Sequence, residues 1–423
     1  MPSPRHPEHD SHNQQTQPTS AHIRWLLELT SIPTAAGREQ RVIHWIKKWV
    51  AQRHNLALRA DDAGNLVIER APPPTPPTSL RQTEPGIPPL FITAHLDHPA
   101  FVVERIIGPS VIESTFRGGV LDPYFKAARV IVYAHEGEPL RGTVTQKESG
   151  DPFPRCLVDL DDGCSTNSVS VGDIARWGLP DSTITDGQLH APACDDLAAV
   201  AAALTTMDRL RDRDDASHVK LLFTRAEEVG FVGAIAACKL RTMPAGAQVL
   251  ALENSRSFPN DSPIGGGPIV RVGDRLSIFS PQLTAAVSKV AAALAGEQIR
   301  SPGTPSSSGD PSKSVTPKYQ WQRKLMPGGA CEATAYQTYG YESTCICLPL
   351  GNYHNMADLA AVQSGDADAI ANAHVAPEVI SVSDYEGMID LLTACGTQLE
   401  PAPTAAKKLD DLYATRRFVL RST

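Results

Sequence analysis

Apolar and polar positions change period several times along the chain, and each change marks an element. From His22 to Gln52, "HIRWLLELTSIPTAAGREQRVIHWIKKWVAQ" carries two helical patterns, broken at Ile32-Pro33 and at Gly37. "NLALRADDAGNLVIER" predicts two short strands around a turn at Asp62 to Asn65. The proline-rich "APPPTPPTSLRQTEPGIPP" cannot hold a ladder and reads as a surface loop or insertion. "LFITAHLDHPAFVV" then predicts a buried strand that runs into polar residues.

Between about Phe101 and Leu189 the texture changes. Short alternating runs ("VVERII", "ARVIVYAH", "GTVTQ", "RCLVDL") are divided by Gly, Asp and Pro, which predicts a small all-β module. From Ala191 onward helical and strand patterns alternate: "DDLAAVAAALTTMDRL", "VKLLFT", "GFVGAIAACKL", "QVLALE", "SPQLTAAVSKVAAALAG", "STCICLPL", "DYEGMIDLLTACGTQL". Such alternation implies an α/β fold, a central sheet with helices on both faces. The expected organisation is a disordered tail over 1–20, a discontinuous α/β catalytic domain over 21–100 and 190–423, and an inserted all-β domain over 101–189.

Composition narrows the class. With 423 residues, 41% hydrophobic and 20% charged, the chain suits a globular protein of more than one domain. Its 39 Lys and Arg against 47 Asp and Glu, a formal charge of −8, argue against nucleic acid or an anionic membrane as partner. No apolar run nears the ~18 residues that span a bilayer, and the N-terminus lacks the apolar core of a secretory signal. The eight cysteines form no C-x-x-C; with Cys345 and Cys347 alternating on one strand face, they read as small apolar residues in a reducing cytoplasm.

Open α/β sheets place their chemistry at the carboxyl ends of strands. "LFITA" leads into His95 and Asp97, "VKLLFT" into Glu227 and Glu228, "QVLAL" into Glu253, and "STCICLPL" into His354. "ACDDLAAV" adds Asp195 and Asp196 at a helix start. Singly each has a plain explanation. One H-x-D arises by chance among thirteen histidines, the aspartates suit a helix cap, and the glutamates complement a helix dipole. Together they gather on one edge, where two imidazoles and three of the carboxylates match a pair of Zn²⁺ ions sharing one carboxylate.

Asp195 is the natural bridge, with His95 and Glu253 completing one site and Glu228 and His354 the other. Asp97 is placed to accept the second N–H of the His95 imidazole. Two ions about 3.5–4 Å apart bring the pKa of a shared water toward ~7. Adjacent glutamates then divide the work: Glu228 binds metal and Glu227 moves the proton.

The order H-x-D, D-D, E-E, acid, H is similar to that of the co-catalytic zinc peptidases. Within them the chain resembles, over about 22–398, the TET-type glutamyl/deblocking aminopeptidases of metallopeptidase family 42. "LLELTSIPTAAGREQRV" resembles the family's opening helix and Gly-x-Glu turn, and "DDAGNLV" its D-x-x-GN hairpin. "FRGGVLDPYFKAARVIV" is similar to the start of its β domain, and "IGGGPIVRVGD" and "MPGGACEA" to two Gly-rich segments. The resemblance implies the ligands His95, Asp195, Glu228, Glu253 and His354, the base Glu227 and the orienter Asp97. It further implies a dinuclear Zn or Co centre, aminopeptidase action on short peptides, and a homo-oligomer, often a tetrahedral dodecamer, with the β domain in an assembly role.

The chain departs from that pattern in four places. "HLDHPA" puts His98 and Pro99 where the family has Glu and an aliphatic residue, and Glu253 stands where these aminopeptidases usually have Asp. "ACEA" replaces a Thr-Asp pair, leaving Glu332 as the nearest acid, and "NMADLAAVQSGDADAIANAH" follows His354 as an insertion. Two other classes stand beside the aminopeptidase. One is an acylase- or carboxypeptidase-type amidohydrolase on the same centre, motivated by Glu253 and with Arg256 as the nearest cation; the other is a non-catalytic assembly protein.

Overall fold

The computed structural model describes residues 20–72, 87–135, 137–297, 319–400 and 405–420. The expected tail, apart from Ser20, and residues 73–86 of the proline-rich stretch lie outside the described residues. Eight strands form one mixed sheet in the order Leu56–Ala60, Leu66–Arg70, Val219–Thr224, Leu90–His95, Gln248–Arg256, Glu342–Leu350, Ile269–Gly273, Gln322–Leu325. The first two make the hairpin that "DDAGN" predicts.

The middle four strands run parallel, so their carboxyl ends share one edge. Register finishes the alignment. Thr224 lies opposite His95, and Glu253 lies two residues beyond the Ala251–Thr93 pair, level with His95 on the neighbouring strand.

Side chains alternate across the sheet, as strand geometry requires. Leu90, Ile92, Leu221, Phe223, Leu250, Leu252, Ile346 and Leu348 face a core shared with the helices Ala21–Ser31, Leu197–Leu210, Pro281–Leu294 and Val382–Gln398. Phe91, Leu222, Val249, Ala251, Cys345 and Cys347 face the other core, under Val232–Lys239 and Glu332–Thr338. The two cysteines therefore share one buried face, as their alternation predicts.

Six strands between Ala100 and Trp177 close into a barrel. Phe101, Phe116, Phe125 and Trp177 fill it, with Phe101 edge-on to Phe116 at 4.8 Å and to Trp177 at 4.9 Å. The sequence pattern carries the β module on to 189, but the next strands behave differently. Thr183–Thr185 and Gln188–Ala191 form a hairpin whose second strand pairs with Glu378–Ser381, outside the barrel.

Candidate metal centre

Asp195 sits at the middle of the parallel edge, one residue before the position that opens the helix Leu197–Leu210. Its Oδ1 lies 3.3 Å from His95 Nε2, and its Oδ2 lies 3.6 Å from His354 Nε2. Each imidazole turns its other nitrogen away to a main-chain acceptor. His95 Nδ1 donates to the Asp97 carbonyl at 3.2 Å, and His354 Nδ1 donates to the Gly119 carbonyl at 2.7 Å. Both Nε2 atoms thus face carboxylates, with each ring oriented through its other nitrogen, as metal-binding histidines are.

Glu253 Oε1 stands 3.8 Å from His95 Nε2, and Glu228 Oε1 stands 3.4 Å from His354 Nε2. Ligand atoms of His95, Asp195, Asp196 and Glu253 lie within 4.8 Å of one another, as do those of Asp195, Glu228 and His354. The five expected ligands come together, and the same distance also groups His95 with Glu227 and Glu228. Asp196 caps no helix N–H. Its carboxylate accepts the His95 amide at 3.3 Å and the Asn254 side-chain amide at 3.3 Å.

Asp97 acts differently from the expectation. Its carboxylate is 3.7 Å from His95 Nδ1, beyond hydrogen-bond reach, and the ring is oriented by the residue's carbonyl instead. The carboxylate accepts the backbone amides of Glu227 at 2.9 Å and Glu228 at 3.1 Å. The reason is the tight turn after Thr224, which points those amides back at the neighbouring strand end.

The donor set fits divalent cations. Asp195 Oδ1 and Glu228 Oε1 are buried and accept no hydrogen bond from the described residues. Among the described residues no lysine or arginine is ion-paired with Asp97, Asp195, Asp196, Glu227, Glu228 or Glu253. Burial pushes Glu228 up to about 8 against the pull of His354, with the Asp195 charge adding to the rise. Burial, then Asp195, likewise push Glu253 up to about 7. Burial works against a charged His354, yet Glu228 and Asp195 raise it to about 10. So many carboxyl groups packed out of water without a lysine or arginine call for cations.

Sequence reasoning missed the supports. Glu378, fully buried, takes the amides of Cys194 and Asp195 on Oε2 (2.7 and 3.0 Å) and of His354 on Oε1 (2.9 Å). His98 donates through Nδ1 to the Asp195 carbonyl at 2.5 Å, and its Nε2 lies 3.1 Å from Asn355 Oδ1. Burial, aided by His354, lowers the His98 pKa to about 4. Glu332 lies outside the cluster, buried below it, where Tyr336 donates to it at 3.4 Å.

A cavity of about 600 Å³ opens beside the cluster. Glu227, Glu228, Glu253 and His354 form its floor, the barrel loop at Gly119–Leu121 one side, and Arg256 and Arg271 another. The insertion after His354 supplies Met356 and Leu359, which pack on Tyr124, itself bonded to the Ala357 carbonyl at 2.5 Å.

A family model described as M42 glutamyl aminopeptidase matches residues 79–296, just over half of the chain. The chain belongs to that family. It is therefore a peptidase of the M42 type, a metal-dependent class, and its fold agrees with solved relatives. The TET1 peptidase of Pyrococcus horikoshii, described as assembling into a tetrahedron or a large octahedral shell, is 20% identical. That match has a TM-score of 0.64 over 90% of this chain and 100% of the other. An aminopeptidase from the archaeon Desulfurococcus kamchatkensis is 19% identical, with a TM-score of 0.65 over 90% and 95% of the two chains. A TET aminopeptidase from a marine-sediment thaumarchaeote is 18% identical, with a TM-score of 0.65 over 92% and 98%.

Proposed function

We propose that this M42 chain is a dinuclear aminopeptidase, with His95, Asp195 and Glu253 holding one divalent cation and Asp195, Glu228 and His354 the other. Zinc is the native metal in this reading, and cobalt a competent substitute. One observation carries it: the two oxygens of Asp195 face the Nε2 atoms of two different imidazoles. When bound, such a pair of ions acidifies water and polarises the scissile carbonyl.

The protein's own groups do the rest. Glu227 lines the cavity floor beside the ligands and is not needed as one, so it takes the proton of the attacking water and returns it to the departing amine. Asp97 holds the Glu227 and Glu228 amides, which keeps base and ligand in register. The cavity is of a size for a few residues of peptide and is walled by the insertion, in keeping with short substrates.

The preferred N-terminal residue is acidic. Arg271 is only 2% exposed, gives Nη1 to neutral Ser255 at 3.0 Å, and has no acceptor for Nε among the described residues. Among the described residues it has no carboxylate partner, an expensive arrangement that an incoming glutamyl or aspartyl side chain relieves. The glutamyl activity in the family's description agrees. The enzyme works in the cytoplasm as a homo-oligomer, like the Pyrococcus relative in assembling, with the barrel serving assembly.

Metal analysis combined with turnover of glutamyl, leucyl and N-acylated chromogenic substrates tests the reading. About two divalent ions per chain and chelator-sensitive release from the free-amino substrates are expected. Full activity without bound metal, or faster release from the N-acylated substrate, would overturn it.

A further inference from the structure

Two sequence motifs have no part in the chemistry so far: the Gly37-Arg38-Glu39 turn and the Asp61–Asn65 hairpin. In the fold both converge on the loop that carries Glu227. Four consecutive backbone amides of that loop end on side-chain oxygens. Arg225 N donates to Asn65 Oδ1 at 3.2 Å and Ala226 N to Glu39 Oε1 at 3.1 Å. Glu227 and Glu228 N donate to Asp97, as described. The loop is gripped from both sides of the residue that would move the proton.

Glu39 is the centre of the outer grip. It is completely buried; Oε1 also takes the Gly37 amide at 2.6 Å, and Oε2 takes Arg225 Nε at 2.8 Å. Arg225 Nη1 continues to the Ala63 carbonyl at 3.2 Å. Asn65 gives its side-chain amide to Asp61 at 2.8 Å and to the Gly233 carbonyl at 3.0 Å. Gly233 allows this approach, because a Cβ there would collide with the Arg225 backbone. Ala226, held between Glu39 and Glu227, has φ +54°, a left-handed conformation that a non-glycine residue adopts only under strain. A buried carboxylate, an arginine and a strained residue meet directly before Glu227.

We infer that Glu39 is a positioning residue for the reaction, acting through Ala226 and Arg225 to set the place of the Glu227 carboxylate. This rests on the reading of Glu227 as general base. Displacing a reacting group by about 1 Å costs on the order of 10²-fold in rate, while substrate affinity and the ligands on other strands are left alone.

The test uses full-length, metal-loaded enzyme. Glu39→Gln keeps the shape but loses the charge that holds Arg225. Its kcat should fall about 10- to 100-fold, with KM within about twofold and metal content unchanged. In a Glu227→Asp background, where the base is already displaced, the same change should cost much less than in the parent. A kcat equal to the parent's, a loss of metal in proportion to rate, or fully multiplicative effects with Glu227→Asp would overturn the inference. Should Glu39→Gln fail to fold, Arg225→Lys replaces it, with the same split in kcat and KM expected; failure of both to fold would leave Glu39 a structural residue and overturn the inference. The base assignment fails separately, by near-parent turnover in Glu227→Gln.

Discussion

The Asp97 carboxylate accepts the backbone amide of Glu227 at 2.9 Å, so the strand end that carries His95 also fixes the turn that carries the proposed base. Asparagine at 97 would keep one acceptor but turn an N–H₂ toward the other amide. Asp97→Asn should therefore lower kcat/KM by about 10- to 100-fold. The Co²⁺ absorption spectrum should also change, since the Glu228 amide moves with that of Glu227. An unchanged spectrum alongside unchanged kinetics would mean that the turn holds itself.

The glutamate pair separates by metal content. Glu227→Gln should retain both ions and lose at least about 10²-fold in kcat, because only the proton acceptor is removed. Glu228→Gln should weaken the ion on the His354 side, where Glu228 Oε1 lies 3.4 Å from the ring. Equal metal occupancy in the two variants would contradict the assigned roles.

Arg271→Met should cost at least about 10²-fold in kcat/KM toward a glutamyl substrate and leave a leucyl substrate within a few-fold. Its Tm should not fall much, because the change also removes a buried charge that has no carboxylate partner among the described residues. Equal losses on both substrates would make Arg271 a wall residue without a part in selectivity.

Chelated enzyme should lose stability as pH rises, and metal-loaded enzyme should do so much less. In the metal-free fold Glu228 is raised to about 8, Glu253 to about 7 and His354 to about 10. Each takes up protons more readily folded than unfolded, so its stabilisation is complete below its unfolded pKa and drains away as pH passes the folded one. Between about pH 5 and 8 the Tm of the chelated protein should drop steadily. A flat Tm there would show that these carboxylates are not facing one another in solution.

Much of the centre was legible because strand ends announce themselves: an apolar run that stops at a histidine or a carboxylate is visible in one dimension. The supports were not. Glu378 sits on a four-residue strand and its carboxylate takes main-chain amides, which leave no trace in residue identity. The Asp97 reversal has the same origin, since H-x-D spacing cannot say whether carbonyl or carboxylate reaches the ring. The end of the barrel was also hidden, because Gln188–Ala191 alternates like a barrel strand but has its partner, Glu378–Ser381, far along the chain.

The barrel's hydrogen bond to His354 is made by a carbonyl, that of Gly119, and not by a side chain. A contact of that kind is blind to amino-acid identity and sensitive only to where the chain runs. Substitutions at 119–121 should leave the imidazole in place, and barrels exchanged between relatives should serve each other's metal sites if this loop keeps its length. A single inserted residue there would shift the carbonyl by about 3.5 Å, turn the His354 ring loose, and disable a catalytic edge to which the barrel contributes no ligand.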